Sequence, residues 1–533
     1  MLTGVIGRPA PARADWRLPQ AIRRLRWPAA TAAGAIVLFF CALREARAQA
    51  VTSDGASMVL QAWAMLHGNL LLHGWRLTDL SFITTELPVY MLVEAVHGIG
   101  PGVVPACAAV TYTLLVLLAA FVARGQARGR EGLIRAAITV AIMLGPSLAA
   151  GATLLIDPDH VGTAVPVLLA MALIDRGGRR WWVPVAVAAV LGWAMVGDQL
   201  VMMVGVAPLL LVGGARSVRL LVQRRVPLAD AWFELSLTGA AVGAVAVSSV
   251  INHFIRAFGG YALNRNYDHF VMAGMVVKNI GGLLEDFLGL FSADFFDERF
   301  GPRLLITGIH LVAAAAVVAA IVMGLRRFLR GDDLVAPLLA TAIVVNLGAF
   351  WLIFQDTNPA TREIGPVFGL GAALAGRLLG GPLLRNRLEL LLVPGLAAAL
   401  LAAAPPLLLA KPPLSHDMRL AAFLERQHLS QGIAGYWNAN TVTVDTGGTV
   451  TMRSVRDLPK PGLVPSDWEL DRALLNSKAY DADFLVATAP HTDGTWDVTE
   501  SEAIAKFGQP YRTYRFDRYV ILVWQKNLLT DLA

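Results

Sequence analysis

Residues 151–165 read GATLLIDPDHVGTAV, and the acidic break Ile156-Asp157-Pro158-Asp159-His160 decides how the whole chain is read. It divides two apolar segments, 132–155 and 161–174. Three ionisable groups in four residues are costly beside a bilayer unless they reach water or serve a site. Asp-Pro also opens ordinary turns, so a solvated turn is the competing reading. Apolar runs of the length that crosses a bilayer as a helix, about 17–25 residues, recur on either side. The expectation is a polytopic α-helical membrane protein with this loop at the lip of the membrane.

Composition agrees. The 533 residues are 56% hydrophobic and 16% charged, with a mean hydropathy of +0.56, whereas soluble domains carry about a quarter charged residues. The net charge of +6 resides in arginines clustered in short loops. That is the footprint of cytoplasmic loops rather than of nucleic-acid binding. Cys41 and Cys107 fall in or beside apolar runs, and the C-terminal part has no cysteine, which excludes a disulfide framework there. The excess of Ala, Gly and Arg points to a bacterium with high-GC coding bias.

Working outward fixes an expected topology. A cytoplasmic tail, 1–26, carries Arg8, Arg13, Arg17, Arg23, Arg24 and Arg26 ahead of the first apolar run, 27–43, which is read as a retained anchor. Residues 44–102 form a large external loop with amphipathic helices on the membrane surface. The segment 83–99 is not counted as a span, because Arg124, Arg128, Arg130 and Arg135 after span 103–123 belong inside. Spans at 132–155, 161–174, 181–197, 199–214, 234–251, 303–325, 334–354, 364–379 and 389–410 complete about eleven crossings. A second external loop covers 252–302. The transmembrane domain is therefore 27–410, in the bacterial plasma membrane, with the N-terminus cytoplasmic. Residues 411–533 read as a small extracytoplasmic α/β domain. Its expected strands are Thr441–Asp445, Phe484–Ala489 and Tyr519–Trp524, and its expected helices are 416–429, 466–477 and 499–507.

This topology brings several polar groups to one face. Asp54 in Thr52-Ser53-Asp54-Gly55 follows the first span; it, or Ser53, also fits a helix N-cap. Asp157, Asp159 and His160 form a set able to share a divalent cation such as Mg or Mn, or to bind a phosphate through one. Arg265, within a basic and aromatic stretch of the second loop, and Arg362 suit a phosphate. Arg362 equally suits an ion pair with Glu363 or a lipid headgroup. Asp198 after Gly197 reads as a span terminus, and Trp75, Trp181, Trp182 and Trp351 as interfacial belt residues.

An acidic residue soon after the first span and a second acidic motif in the next external loop, here Asp54 and Asp157-Pro158-Asp159-His160, resemble the GT-C superfamily of polyprenyl-phosphate-sugar-dependent membrane glycosyltransferases. The large first loop and the extracytoplasmic C-terminal domain also match. The chain has no Trp-Trp-Asp signature of oligosaccharyltransferases, and a single Asp54 where protein O-mannosyltransferases have Asp-Glu; the subfamily stays unassigned. The resemblance implies transfer of a hexosyl or pentosyl group from a polyprenyl-phosphate donor to a glycan, lipid or protein acceptor. Asp54 and Asp157 would be catalytic, with Asp54 as general base and inversion at the sugar. Arg362, Arg265 and His160 would hold the donor phosphate. The rival classes are a lipid-linked-substrate transporter or flippase, and a non-catalytic membrane scaffold. Few charges inside the spans and no internal repeat argue against transport.

Overall fold

The computed structural model describes residues 20–157, 159–264, 270–295, 301–329, 331, 333–354, 361–388, 415–458, 460, 462–488 and 496–532. Among them, seven helices are long and apolar enough to cross a membrane: Pro28–Ala46, Val103–Arg124, Met202–Gln223, Leu228–Ala257, Leu304–Arg326, Val335–Ile353 and Arg362–Arg385. Their inward faces share one continuous core that includes Leu115, Leu168, Leu191, Phe233, Val317, Leu339 and Phe368. Val185, Val242, Leu305 and Val312 point outward. A helix bundle that is apolar inside and out is the pattern of a membrane domain. The expected span 389–410 lies outside the described residues.

Three expected spans are shorter than a full crossing, 181–197 among them as the 16-residue helix Trp182–Gly197. Residues 132–155 do not form one helix: Gly129–Met143 ends, and a short helix, Leu148–Leu154, restarts. The break is at Gly145-Pro146. Proline disfavours helical backbone in the residue before it, and Gly145 takes φ +65°. Ser147 then caps the restart by accepting from the Ala150 N–H. The return helix, Ala164–Gly177, has 14 residues. The acidic loop thus sits recessed within the bundle, above a helix too short to span alone.

The first loop is helical, as expected, with Ser53–Leu66 and Leu87–His97 joined through a short strand, Trp75–Leu77. Leu92 and Val96 on the second helix face outward. The 252–302 segment carries more structure than its polarity suggested. Helix Leu228–Ala257 runs into it, and Ala262–Leu263 and Asn279–Leu290 follow.

The C-terminal domain is an α/β sandwich. Its six strands run in the order Gly462–Pro465, Thr451–Leu458, Gln431–Gly435, Phe484–Thr488, Tyr519–Val523 and Arg512–Phe516. The central three are parallel and the outer pairings antiparallel. Helices His416–Arg426 and Tyr436–Asp445 cover one face, and Glu500–Phe507 covers the other. The expected strand at Thr441–Asp445 is a helix. Alternating Thr and Val favour strands, but the segment is buried on every side between the sheet and the Ser53–Leu66 helix. The Thr441 and Thr443 hydroxyls turn back onto carbonyls of Asn438 and Ala439, which satisfies them within a helix. The expected helix at 466–477 is instead a strand, Leu470–Asp471, followed by one 3₁₀ turn, Arg472–Leu475. Local propensity yields there to a tertiary pairing. Leu470–Asp471 and Ala262–Leu263 flank Trp75–Leu77, so one small sheet ties both loops of the membrane domain to the C-terminal domain.

Candidate active site

The site starts at Thr52. This residue, rather than Ser53 or Asp54, is the N-cap of the Ser53–Leu66 helix, accepting from the Gly55 N–H. Asp54 is therefore left in the first turn with its carboxylate free to face across the site. The Thr52 hydroxyl donates onward to Asp157. Gly55 explains how the two segments approach: a Cβ there would overlap Asp157 Oδ1. A side chain at residue 55 would push the acidic loop away from the helix that carries Asp54.

Arg362 gathers the carboxylates. Its Nη1 donates to Asp54 Oδ2 at 3.0 Å and to Asp159 Oδ2 at 2.7 Å. The guanidinium is 36% exposed, while the two aspartates are 17% and 8% exposed. One end of the Arg362–Arg385 helix thus faces three aspartates from two distant segments. The charge is not balanced. Among the described residues Asp157 Oδ1 and Asp159 Oδ1 are buried with no hydrogen-bond partner, an expensive state for carboxylate oxygens. Burial, then Asp159 and Asp54, push the Asp157 carboxyl well above its ordinary range. Burial also raises Asp159, although Arg362 and His160 oppose it.

Beside this cluster His160 takes φ +61°, a left-handed conformation costing about 1 kcal/mol for a non-glycine residue. The turn delivers its Nδ1 to Asp198 Oδ2 at 2.9 Å. Asp198, read from sequence as a mere span terminus, is fully buried and also accepts from Thr163 and from the Leu200 N–H. Burial opposes a charge on His160, but Asp198 outweighs it and holds the imidazolium to about 9. The Asp198 carboxyl is lowered in turn, because His160 and its hydrogen bonds outweigh burial. His160 is thus a cation fixed by its own buried anion, next to Asp159.

Two residues that the sequence did not single out complete the site. Tyr436 donates its hydroxyl toward Asp54 Oδ1 at 2.5 Å and lies 2.6 Å from Glu469 Oε2. Both come from the C-terminal domain. The Ser53 hydroxyl donates to the Tyr436 carbonyl at 2.6 Å, fixing the Tyr436–Asp445 helix on the helix that carries Asp54. Trp496 and Trp468 line up beyond Tyr436, at ring separations of 5.7 and 5.9 Å along the series.

Of the residues expected at the site, Asp54, Asp157, Asp159, His160 and Arg362 meet at one end of the bundle; Arg265 lies outside the described residues. Among the described residues no three His, Cys, Asp or Glu side chains form a metal-holding group, so Asp157, Asp159 and His160 do not assemble as one. His160 has turned to Asp198 instead. The free oxygens of Asp157 and Asp159 are nonetheless the hard oxygen donors that a divalent cation takes.

No family model matches the chain, and no curated protein does. Solved structures do match. ArnT from Cupriavidus metallidurans bound to undecaprenyl phosphate is 13% identical, with 93% of this chain and 98% of that chain covered, at a TM-score of 0.52. The Archaeoglobus fulgidus oligosaccharyltransferase tethered with an acceptor peptide is also 13% identical, covering 85% of this chain and 69% of that chain, at a TM-score of 0.47. The likeness to ArnT is one of fold: the chain has the GT-C-like architecture that its acidic motifs suggested, with a multi-pass helical body and a C-terminal sheet domain.

Proposed function

We propose that the protein is a glycosyltransferase of the bacterial plasma membrane that moves a hexosyl or pentosyl group from a polyprenyl-phosphate donor to an acceptor of the cell envelope. The observation that carries this reading is the convergence of Asp54, Asp157, Asp159 and Arg362 at one end of the bundle. That end is taken as extracytoplasmic, because the arginine-rich loops lie at the other. Undecaprenyl phosphate, the ligand bound to ArnT, supports the donor class.

In this reading Arg362, the exposed cation of the cluster, receives the donor phosphate, and His160⁺ adds positive charge beside it. Asp54 takes the proton of the acceptor hydroxyl as that oxygen attacks the anomeric carbon. A new carbon–oxygen bond forms, the bond from the sugar to phosphate breaks on the opposite face, and the electron pair leaves on polyprenyl phosphate. The configuration inverts. Asp157 and Asp159 would hold a divalent cation, which when bound supplies charge for the leaving phosphate. Tyr436, Trp468 and Trp496 offer the acceptor side a ring-lined wall of the kind sugars stack on.

Purified full-length protein in nanodiscs, given undecaprenyl-phosphate sugars and envelope extract, tests this. Transfer that falls ~10²–10⁴-fold in Asp54→Asn, with insertion and melting unchanged, is expected. Full transfer by correctly inserted Asp54→Asn and Asp157→Asn would overturn the reading.

A further inference from the structure

We propose that Glu469 works as a neutral carboxylic acid, donating to Tyr436 so that the single phenolic proton is directed onto Asp54. The C-terminal domain thereby supplies two positioning residues to the base of the membrane domain. This rests on the assignment of Asp54 as base.

The argument is a count of protons. The Tyr436 oxygen lies 2.5 Å from Asp54 Oδ1 and 2.6 Å from Glu469 Oε2. One phenol donates one proton, and an ionised carboxylate only accepts. Both contacts are hydrogen bonds only if one of the two carboxyls carries a proton. Asp54 has the Arg362 guanidinium on its other oxygen at 3.0 Å. Among the described residues Glu469 has no cation beside it. It is 4% exposed, and its described partners are hydroxyls, Tyr436 and Ser57. The groups that face it are Asp54 on the Ser53–Leu66 helix, Tyr436 on its own domain and Asp159 in the acidic loop; burial and the two aspartates act together to favour the neutral form. The proton therefore belongs on Glu469.

A hydrogen-bonded chain results. Gln61 Nε2 donates to Ser57 Oγ at 3.2 Å, and the Ser57 hydroxyl lies between Glu469 Oε2 and the Asp54 carbonyl, 3.0 Å from the latter. Glu469 donates to Tyr436, and Tyr436 to Asp54. The backbone is built for it. Glu469 takes φ +48°, unfavourable for a glutamate. The strand that follows at once, Leu470–Asp471, is held by pairing with Trp75–Leu77. The Arg472 N–H donates to the Gly74 carbonyl at 3.1 Å as well. The pairing that docks the domain is the same one that aims Glu469.

The experiment has two readouts on the full-length protein in nanodiscs. The first is infrared difference spectroscopy between the wild type and Glu469→Gln at neutral pH, with no substrate. A protonated-carboxyl band lost in E469Q is expected; a lost carboxylate band instead would overturn the proposal. The second is transfer from undecaprenyl-phosphate sugars. Glutamine donates as a neutral acid does, so E469Q should stay within about threefold of wild type, while Glu469→Ala and Tyr436→Phe fall at least ~10-fold, the loss of one buried hydrogen bond. The alkaline fall of kcat/KM, where Glu469 ionises and draws the Tyr436 proton away, should move to higher pH in E469Q. An E469Q as inactive as E469A would also overturn the proposal. Failure of the glycosyltransferase reading gives a different pattern: the infrared band as expected, and no transfer in any protein, wild type included.

Discussion

Among the described residues two arginines sit between aspartates on the same helix, Arg362–Arg385, one at its start and one eight residues before its end, about 22 Å apart by helical rise. Arg377 donates to Asp175 at 2.6 Å, to Asp333 at 2.8 and 2.9 Å, and to the Val122 carbonyl at 2.8 Å. It is 7% exposed. Arg362 binds Asp54 and Asp159 but stays open, and carboxylate oxygens around it have no partner among the described residues. The chemistry is alike; what differs is completeness. A saturated ion cluster staples helices, whereas one that leaves charge unanswered and a cation accessible is prepared for a ligand.

The comparison predicts a split between activity and stability. Its largest effect is on chemistry: Asp54→Asn should cost ~10²–10⁴-fold in transfer with little change in melting temperature. Arg377→Ala should show the reverse. It strands Asp175, 8% exposed, and should destabilise by about 3–5 kcal/mol in a denaturation assay, as breaking a buried pair does, with turnover per folded molecule retained. A Gly55→Ala substitution sharpens the contrast. Its Cβ has no room against Asp157, so a loss of about 1–3 kcal/mol should come with reduced transfer. An unaltered Gly55→Ala protein would mean that the acidic loop and the helix are not held in register.

A further expected effect is with pH. His160 is raised from its ordinary value to about 9 by Asp198. A raised folded-state value means that the pair's stabilisation is complete below the unfolded histidine range, near 6.5, and is lost as pH rises toward about 9. Melting temperatures should fall across that window, and the fall should vanish in Asp198→Asn.

Which parts of this were legible beforehand follows from the physics. Asp54, Asp157, Asp159 and Arg362 could be grouped from sequence because span parity alone carries them to one end; no contact had to be foreseen. Asp198 obeyed the same parity, but a lone aspartate at a span end carries no sign of the buried imidazole it receives. Glu469 and Tyr436 were out of reach. Their arrival depends on an edge pairing between Trp75–Leu77 and Leu470–Asp471, segments almost four hundred residues apart in sequence. The same pairing turned an expected helix into a strand. The Thr441–Asp445 segment misled for a related reason: its alternation speaks for a strand only when one face meets solvent, and here neither does.

The most direct test is a cryo-electron microscopy structure with undecaprenyl phosphate bound. The phosphate should lie within hydrogen-bonding distance, about 3 Å, of Arg362, beside Asp54 and His160. The opposite end offers it a competing home, a cavity of about 910 Å³ lined by Arg135, Arg179, Arg216, Arg219, Arg224 and Arg377. A phosphate seated there, with Arg362 still closed on its aspartates, would contradict the account.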